Sequence, residues 1–210
     1  MAKLQCDFFM RDTLEVARDL LGRYIVRTID GKQLVCRITE TEAYIGAIDK
    51  ACHAYGGKVT PRTQTLYAAP GTAYVYMIYG MYNCLNFITE PEGTACGVLI
   101  RCGEPVYHSD AISLLRFGKK TADLSPYQRK NFMNGPGKLC KGLMIDRSLN
   151  NMPCASHELY IADELPEFGL TCRAEPFHYF TGKRIGIDYA EEAVDFPWRF
   201  WTTEVTHADF

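Results

Sequence analysis

Apolar and β-branched residues recur with polar ones between them in two neighbouring segments near the start of the chain, a pattern typical of β-strands. These segments are residues 24–29 and 34–44. Asp30-Gly31 lies between them, and an Asp-Gly pair in this position is typical of a two-residue hairpin turn. The pattern therefore predicts an antiparallel pair of strands early in the chain.

A short helix is predicted before the first strand. Asp12-Thr-Leu-Glu15 has the spacing of a capping box at a helix start, and Gly22 is expected to follow the helix end. The apolar face of this helix comprises Leu14, Ala17, Leu20 and Leu21.

The rest of the chain divides into a loop rich in glycine and proline, further strands and three helical segments. The loop is predicted at 45–70, strands at 96–101, 159–161 and 184–187, and helices at 109–116, 126–132 and 137–144. Together these elements predict a single α+β domain over residues 1–210, with a mainly antiparallel sheet and flanking helices.

Four tyrosines lie close together, at Tyr74, Tyr76, Tyr79 and Tyr82. A strand places Tyr74 and Tyr76 on one face, Gly80 supplies a break, and residues 83–88 resume the composition of a strand. This predicts a β-hairpin with aromatic rings on its wall and near its tip. Such rings can stack on nucleobases or enter a duplex, although tyrosine also packs ordinary sheets.

Composition is that of a globular protein: 47% of the 210 residues are hydrophobic and 23% are charged. No run approaches the ~20 apolar residues of a membrane span, and the N-terminal residues lack the apolar stretch of a signal peptide. Nine cysteines are scattered without a C-x-x-C spacing, so neither a zinc site nor a disulfide scaffold is expected. An intracellular protein with reduced thiols, no metal and no cofactor is predicted.

Basic residues are concentrated in one part of the chain. The formal net charge is −2, yet residues 116–147 contain eight basic and two acidic residues, a local charge of +6. Residues 148–210 carry −7 and the first 115 residues carry −1. A local basic segment can neutralise phosphates even when the whole chain is acidic, although it can equally be a solvated surface.

Two carboxylates at the end of the second predicted strand are the candidate chemistry. Alternation along this strand puts six residues on one face: Leu34, Cys36, Ile38, Glu40, Glu42 and Tyr44. A carboxylate that ends a buried apolar face is desolvated, which raises its pKa and makes it a usable general base. The alternative is that both glutamates lie at the solvent end of an edge strand. Arg101, at the end of the apolar segment 96–101, needs an anionic partner if it is buried.

Seven short blocks occur in a characteristic order. They are residues 39–46, His53 with Gly56-Gly57, residues 60–62, residues 70–82 continuing to Cys84 and Asn86, residues 99–105, residues 135–140 and residues 184–187. Together they resemble the alkyladenine (3-methyladenine or methylpurine) DNA glycosylase family, from about the first helix to Trp201.

The resemblance implies a monomeric DNA repair enzyme with a curved sheet and a protruding hairpin that enters double-stranded DNA. It would hydrolyse the N-glycosidic bond of an extruded purine, such as 3-methyladenine, 7-methylguanine, hypoxanthine or ethenoadenine. Glu42 matches the general base that activates a water, Arg101 matches an arginine that holds this water, and a backbone carbonyl near Ile185 matches its third contact.

The same resemblance assigns the pocket. Tyr44, His53 and Tyr76 match walls that sandwich the purine, and such rings favour a cationic base through cation–π attraction. Asn86 matches a residue that opposes the 2-amino group of guanine, and Tyr79 matches the residue that fills the gap left by the extruded base.

Two lysines are predicted phosphate contacts. Gly135-Pro-Gly-Lys138 is expected to open a helix that presents backbone amides and Lys138, with Lys141 one turn further along; a plain glycine-rich helix start is the alternative. The chain departs from the family at Ala54, Ala69 and Gly137, where a small polar residue, a basic residue and a serine are expected.

Other functions fit parts of the pattern. A non-catalytic nucleic-acid-binding module explains the tyrosines and the basic segment, but it gives no reason for Glu42 with Arg101. A bifunctional glycosylase/lyase needs an amine nucleophile, which Lys138 could supply, whereas the resemblance points to water. A zinc-dependent nucleobase deaminase needs His-x-Glu and Pro-Cys-x-x-Cys, and the chain has neither.

Overall fold

Eight β-strands, all paired antiparallel, form one curled sheet in a computed structural model, which describes residues 3–171, 173 and 177–203. The strands are β1 (Tyr24–Ile29), β2 (Lys32–Ile45), β3 (Ala73–Ile78), β4 (Tyr82–Thr89), β5 (Cys96–Tyr107), β6 (Leu159–Ala162), β7 (Phe180–Gly182) and β8 (Arg199–Trp201). Their order is β3-β4-β5-β2-β1-β6, while β8 pairs with β2 and with β7.

Five short α-helices flank the sheet within the described ranges. They are α1 (Cys6–Phe9), α2 (Thr13–Asp19), α3 (Ser109–Phe117), α4 (Pro126–Lys130) and α5 (Pro136–Gly142). The predicted α+β class with a mainly antiparallel curved sheet is confirmed. A single domain over 1–210 remains a prediction, because it includes residues outside the described ranges. No helix in the described part of the chain is long and apolar enough to cross a lipid bilayer.

The first hairpin and the first long helix form where the local sequence predicts them. The turn between β1 and β2 places Asp30 at φ 48° and Gly31 at φ 76°, the left-handed region that an Asp-Gly turn requires. The Asp12 carboxylate accepts hydrogen bonds from the backbone amides of Leu14 and Glu15, at 2.9 and 3.0 Å, and so caps α2.

The tyrosine-rich segment forms a hairpin of β3 and β4, in which Ile78 pairs with Tyr82. Tyr79 and Gly80 lie in the turn, with φ of 51° and 67°. Helix α5 packs against β4 at Gly137, where an added Cβ would meet the Tyr82 side chain at 2.9 Å. The absence of a side chain at 137 thus allows a close approach between α5 and the hairpin.

A β-bulge in β2 changes which residues face the core. Leu34, Cys36 and Ile38 lie in the main core, but the register of β2 on β5 shifts on both sides of Glu40. After the bulge the buried residues Thr41 and Ala43 face the core, and the Thr41 hydroxyl donates to the Ala17 carbonyl of α2 at 2.7 Å.

The predicted common face of this strand is therefore wrong. Glu40, Glu42 and Tyr44 turn away from Leu34, Cys36 and Ile38, because the extra residue of a bulge reverses the alternation of side chains. The two carboxylates leave the main core and enter the site described below.

Four further elements differ from prediction. Strand β5 continues to Tyr107, so Arg101 lies within a strand rather than at its end. Residues 184–187 form no strand. Instead of pairing through the backbone, the Arg184 side chain donates to the Ala43 carbonyl and the Ile185 amide donates to the Glu42 carboxylate. Helices α4 and α5 end at Lys130 and Gly142, each two residues before the predicted end. The eight cysteines in the described residues are free, as predicted, and Cys172 lies outside those residues.

Candidate active site

A cavity of about 290 Å³ opens between strands β2 to β5, the loop after β2 and the loop after β7. Six aromatic side chains line it: Tyr44, His53, Tyr74, Tyr76, Tyr79 and Tyr189. Asn86 and Arg101 add polar groups to the wall. The volume lies at the small end of ligand pockets, and the flat walls suit a small planar ring system.

Glu42 lies beneath this pocket and is fully buried, at 0% exposure. Its Oε1 accepts from the backbone amide of Ile185 at 2.8 Å and lies 3.3 Å from Nη1 of Arg101. Its Oε2 accepts from the hydroxyl of Tyr44 at 2.8 Å. The two hydrogen-bond donors, Tyr44 and Ile185, and the ion-pair partner Arg101 all line the cavity, so the carboxylate lies one layer below the pocket surface.

The two neighbouring carboxylates differ in their pKa. Burial raises the pKa of Glu42 above its ordinary value, although Arg101, the Ile185 amide and Tyr44 stabilise the charged form. Burial would also raise the pKa of Glu40, but hydrogen bonds from Cys102, Arg101 and Arg199 with the charge of Arg101 hold it below its ordinary value. The charged form of Glu40 is therefore favoured, whereas Glu42 is the more basic of the two carboxylates.

Glu40 connects two arginines. Its Oε1 accepts from Nε of Arg101 at 2.9 Å and from Nη1 of Arg199 at 3.1 Å, and its Oε2 accepts from the Cys102 thiol at 2.9 Å. Arg199 was missed by sequence reasoning, since it lies in β8, a three-residue strand that carries no strong local signal.

The aromatic walls come from four separate segments: β2, the loop after β2, the β3 hairpin and the loop after β7. The rings of His53 and Tyr76 meet edge to face at 4.6 Å between centroids, and the Tyr74 and Tyr76 rings are 5.1 Å apart. Burial and then the Glu42 charge raise the pKa of Tyr44 well above its ordinary value, so its hydroxyl remains a donor. Tyr74 was not among the residues predicted to line the base pocket, although its position two residues before Tyr76 puts both side chains on the same face of the strand.

His53 is neutral and its tautomer is fixed. Nη2 of Arg62 can only donate, so Nε2 of His53 accepts at 3.2 Å, and Nδ1 carries the proton toward the Tyr74 hydroxyl at 3.1 Å. Burial, with a smaller effect from Arg62, lowers the pKa of His53 to about 4.

Asn86 and Tyr79 lie at opposite depths of the site. Asn86 is buried on β4, and its Nδ2 donates to the Tyr74 carbonyl at 3.1 Å. Tyr79 is 83% exposed at the hairpin turn, where its ring reaches the mouth of the cavity. The exposed apolar neighbour Met81 extends the same tip.

A buried ion pair that the sequence did not predict holds one side of the pocket. The Asp49 carboxylate accepts two bonds from Arg184, at 2.5 and 2.8 Å, and both side chains are fully buried. The guanidinium lies between the rings of Tyr44 and Trp198, at 4.7 and 5.0 Å from their centroids. This pair fixes the loop that carries Ile185 against the loop after β2.

The structure brings the predicted residues Glu42, Arg101, Tyr44, His53, Tyr76, Asn86, Tyr79 and Ile185 into one site. At Ile185 the observed contact is the amide with Glu42, whereas the predicted contact of its carbonyl with a water remains a prediction. Lys138 and Lys141 lie outside the cavity lining on α5. Lys138 binds the side chains of Asn131 and Asn134, both at 2.8 Å, and Lys141 is exposed.

The chain is similar to known proteins over nearly its whole length. The sequence profile of the methylpurine-DNA glycosylase (MPG) family matches residues 7–206. A provisionally named 3-methyladenine DNA glycosylase of Clostridium perfringens (strain SM101 / Type A) is 54% identical over 200 residues, 95% of each chain. Proteins with the same provisional name in Clostridium botulinum (strain Loch Maree / Type A3) and Alkaliphilus oremlandii (strain OhILAs) are 50% and 46% identical, again over 95% of each chain.

Proposed function

This chain belongs to the methylpurine-DNA glycosylase family and is therefore a DNA glycosylase, and we propose that its pocket receives an alkylated or deaminated purine turned out of double-stranded DNA. The preferred bases are 3-methyladenine and 7-methylguanine, with hypoxanthine and ethenoadenine as further candidates. The products are a free base and an abasic site. The enzyme acts inside the cell, as a monomer and without a cofactor.

The observation that carries this proposal is the placement of Glu42 under an aromatic pocket. A base inside the double helix is out of reach, so the nucleotide must leave the stack before chemistry. The pocket offers aromatic walls on which the extruded purine can stack. Directly below lies a carboxylate whose pKa is raised by burial. A hydrolase that cleaves the bond between a bound base and its sugar uses both the stacking walls and the basic carboxylate.

The proposed reaction uses a water held by Glu42, Arg101 and the backbone carbonyl of Ile185. Oε2 of Glu42 has one protein contact, the Tyr44 hydroxyl, whereas Oε1 has both the Ile185 amide and the Arg101 ion pair, so we assign the water to Oε2. Glu42 accepts a proton from the water while the water oxygen forms a bond to the anomeric carbon of the sugar. The bond from that carbon to the purine nitrogen breaks, and its electron pair leaves with the base.

Alkylation makes the purine a better leaving group and a better ligand. A base that carries a positive charge leaves as a neutral molecule, and it is attracted to the faces of Tyr44 and Tyr76. His53 supports this selectivity, because a neutral imidazole adds no charge that would repel a cationic base. Normal purines lack both advantages.

Asn86 is proposed to exclude guanine, because its amide takes the space that a 2-amino group requires. Asn86→Gly or Asn86→Ser is therefore expected to release undamaged guanine from unmodified duplex DNA above the background of the native enzyme. Chromatography of the released bases measures this. Guanine release that stays at background while alkylated adenine is still excised would place the filter elsewhere.

The Tyr44 hydroxyl is expected to set the pH dependence of the reaction. Tyr44→Phe keeps the ring but removes a donor to ionised Glu42, so the pKa of Glu42 rises further. A larger share of Glu42 is then protonated in mild acid, and the acid limb of the single-turnover rate profile moves to higher pH. Tyr76→Phe is the matched control, since the Tyr76 hydroxyl makes no hydrogen bond to Glu42. If the acid limb of the rate profile of Tyr44→Phe stays where it is in the native protein, the Tyr44 hydroxyl does not set the pKa of Glu42.

The reaction class is tested on the DNA product. A methylated duplex treated with the protein should acquire alkali-sensitive sites, with strands that stay intact until alkali is added. Borohydride should trap no covalent protein–DNA adduct, because water and not Lys138 is the nucleophile. Retention of DNA without alkali-sensitive sites would instead indicate a binding module, and a trapped adduct would indicate a lyase.

A further inference from the structure

Glu40 is linked to two of the three groups that contact the Glu42 carboxylate, the Arg101 guanidinium and the Ile185 amide. The first link is direct: Glu40 binds Nε of Arg101, and Nη1 of the same guanidinium lies 3.3 Å from Glu42. Because a guanidinium is planar and rigid, anchoring its Nε fixes the direction of its Nη atoms. The position of Arg101 beside Glu42 therefore depends on Glu40.

The second link runs through Arg199 to the loop that carries Ile185. Nη1 of Arg199 binds Glu40 at 3.1 Å, and Nε of Arg199 donates to the carbonyl of Lys183 at 2.8 Å. Two residues further along, the amide of Ile185 donates to Glu42. Glu40 thus helps to hold this loop at the distance from which it reaches the buried carboxylate.

We propose that Glu40 is a positioning residue for glycosidic-bond hydrolysis, which orients Arg101 directly and the Ile185 loop through Arg199 so that both present donors to Glu42. Glu40 itself touches neither the water nor the base. The inference rests on the proposed role of Glu42 as the base, and it gives the second carboxylate of the Glu-Thr-Glu segment a distinct task.

Glutamine separates the geometry of Glu40 from its charge. Both arginines bind the same oxygen, Oε1, so the amide oxygen introduced by Glu40→Gln can keep both contacts while the amide nitrogen faces the sulfur of Cys102. The negative charge of Glu40 is one of the influences that raise the pKa of Glu42. Glu40→Gln should therefore preserve positioning and lower the pKa of Glu42.

Several other charged or titratable groups act on Glu42, and all remain in this variant. They are Tyr44 on its own strand, Arg101 and Cys102 on β5, and Cys84 on β4. A shift in the pH profile of Glu40→Gln can then be assigned to the one charge that was removed.

The experiment measures single-turnover base release from methylated duplex DNA against pH, and affinity for a duplex with an abasic-site analogue. Glu40→Ala is expected to lose up to ~10²-fold of the rate, as when catalytic groups are misplaced by about 1 Å, while affinity is largely kept. Glu40→Gln should recover most of that loss and move the acid limb to lower pH. Glu158→Gln is the control, a carboxylate beside Arg27 outside the site.

Arg199→Met provides a second test if Glu40→Ala does not fold, because it breaks the link between Glu40 and Lys183 and leaves the Glu40–Arg101 contact in place. It should lower the rate without weakening binding. The proposal is overturned if Glu40→Ala, or Arg199→Met in its place, keeps the native rate, or if Glu40→Gln loses as much of the rate as Glu40→Ala. Glu42→Gln in the same series separates the role of Glu42 as general base from the positioning role of Glu40. An active Glu42→Gln would refute the assignment of Glu42 as the base.

Discussion

Glu42→Gln is expected to lower the single-turnover rate of base release by at least ~10²-fold, the usual contribution of a general base. The amide has nearly the same shape, but it cannot accept a proton from the attacking water. Binding should survive, because the aromatic walls and the hairpin are untouched. The rate is measured with enzyme in excess over methylated duplex DNA, and binding with a duplex that carries an abasic-site analogue.

Glu40→Gln is the matched control for this prediction, since it changes the neighbouring carboxylate in the same strand and keeps its contacts. It should remain far more active than Glu42→Gln near neutral pH. The reverse result, with strong loss in Glu40→Gln and near-native activity in Glu42→Gln, would show that Glu40 and not Glu42 is the general base.

Tyr79→Ala is expected to slow excision most where the damaged base is fully paired. The exposed ring at the hairpin turn is placed to fill the space that the extruded nucleotide leaves. Extrusion costs a few kcal/mol at a paired site and less at a mismatch, so loss of the plug should cost roughly 10-fold or more when paired and less when mismatched. Single-turnover excision from two duplexes that differ only in the opposite base measures this.

A lysine variant distinguishes this effect from general DNA binding. Lys138→Ala should weaken binding to damaged and undamaged DNA alike and flatten the salt dependence by about one unit, as expected for one lost phosphate contact. A Tyr79→Ala defect that is the same at paired and mismatched sites would refute the plug. An unchanged salt slope would remove Lys138 from the phosphate contacts, consistent with its bonds to Asn131 and Asn134.

Local sequence was sufficient where short-range geometry determines the structure. The Asp30-Gly31 turn, the Asp12 cap and the hairpin around Gly80 each depend on residues within a few positions of one another. The residues that meet in the pocket were located by a different kind of information, the resemblance to a family, because no local pattern joins His53 to Asn86 or Arg101.

Local sequence failed where tertiary contacts decide. Strict alternation placed Glu42 on the core face of β2, and the bulge at Glu40 reversed this, because the pairing partner on β5 determines where a strand bulges. The segment 184–187 has the composition of a strand, yet the Asp49–Arg184 pair and the Glu42–Ile185 bond take up its polar groups. Both partners lie more than a hundred residues earlier in the chain.

Whether Glu42 acts as the general base of a purine-specific glycosylase is tested most directly by identifying the bases that the protein releases from methylated duplex DNA. Native protein and Glu42→Gln are incubated with the same DNA, and the free bases are separated by chromatography. The native protein is expected to release 3-methyladenine and 7-methylguanine, with little normal adenine or guanine, and Glu42→Gln is expected to release almost no free base. Absence of free base with the native protein, or equal release by Glu42→Gln, would contradict this expectation.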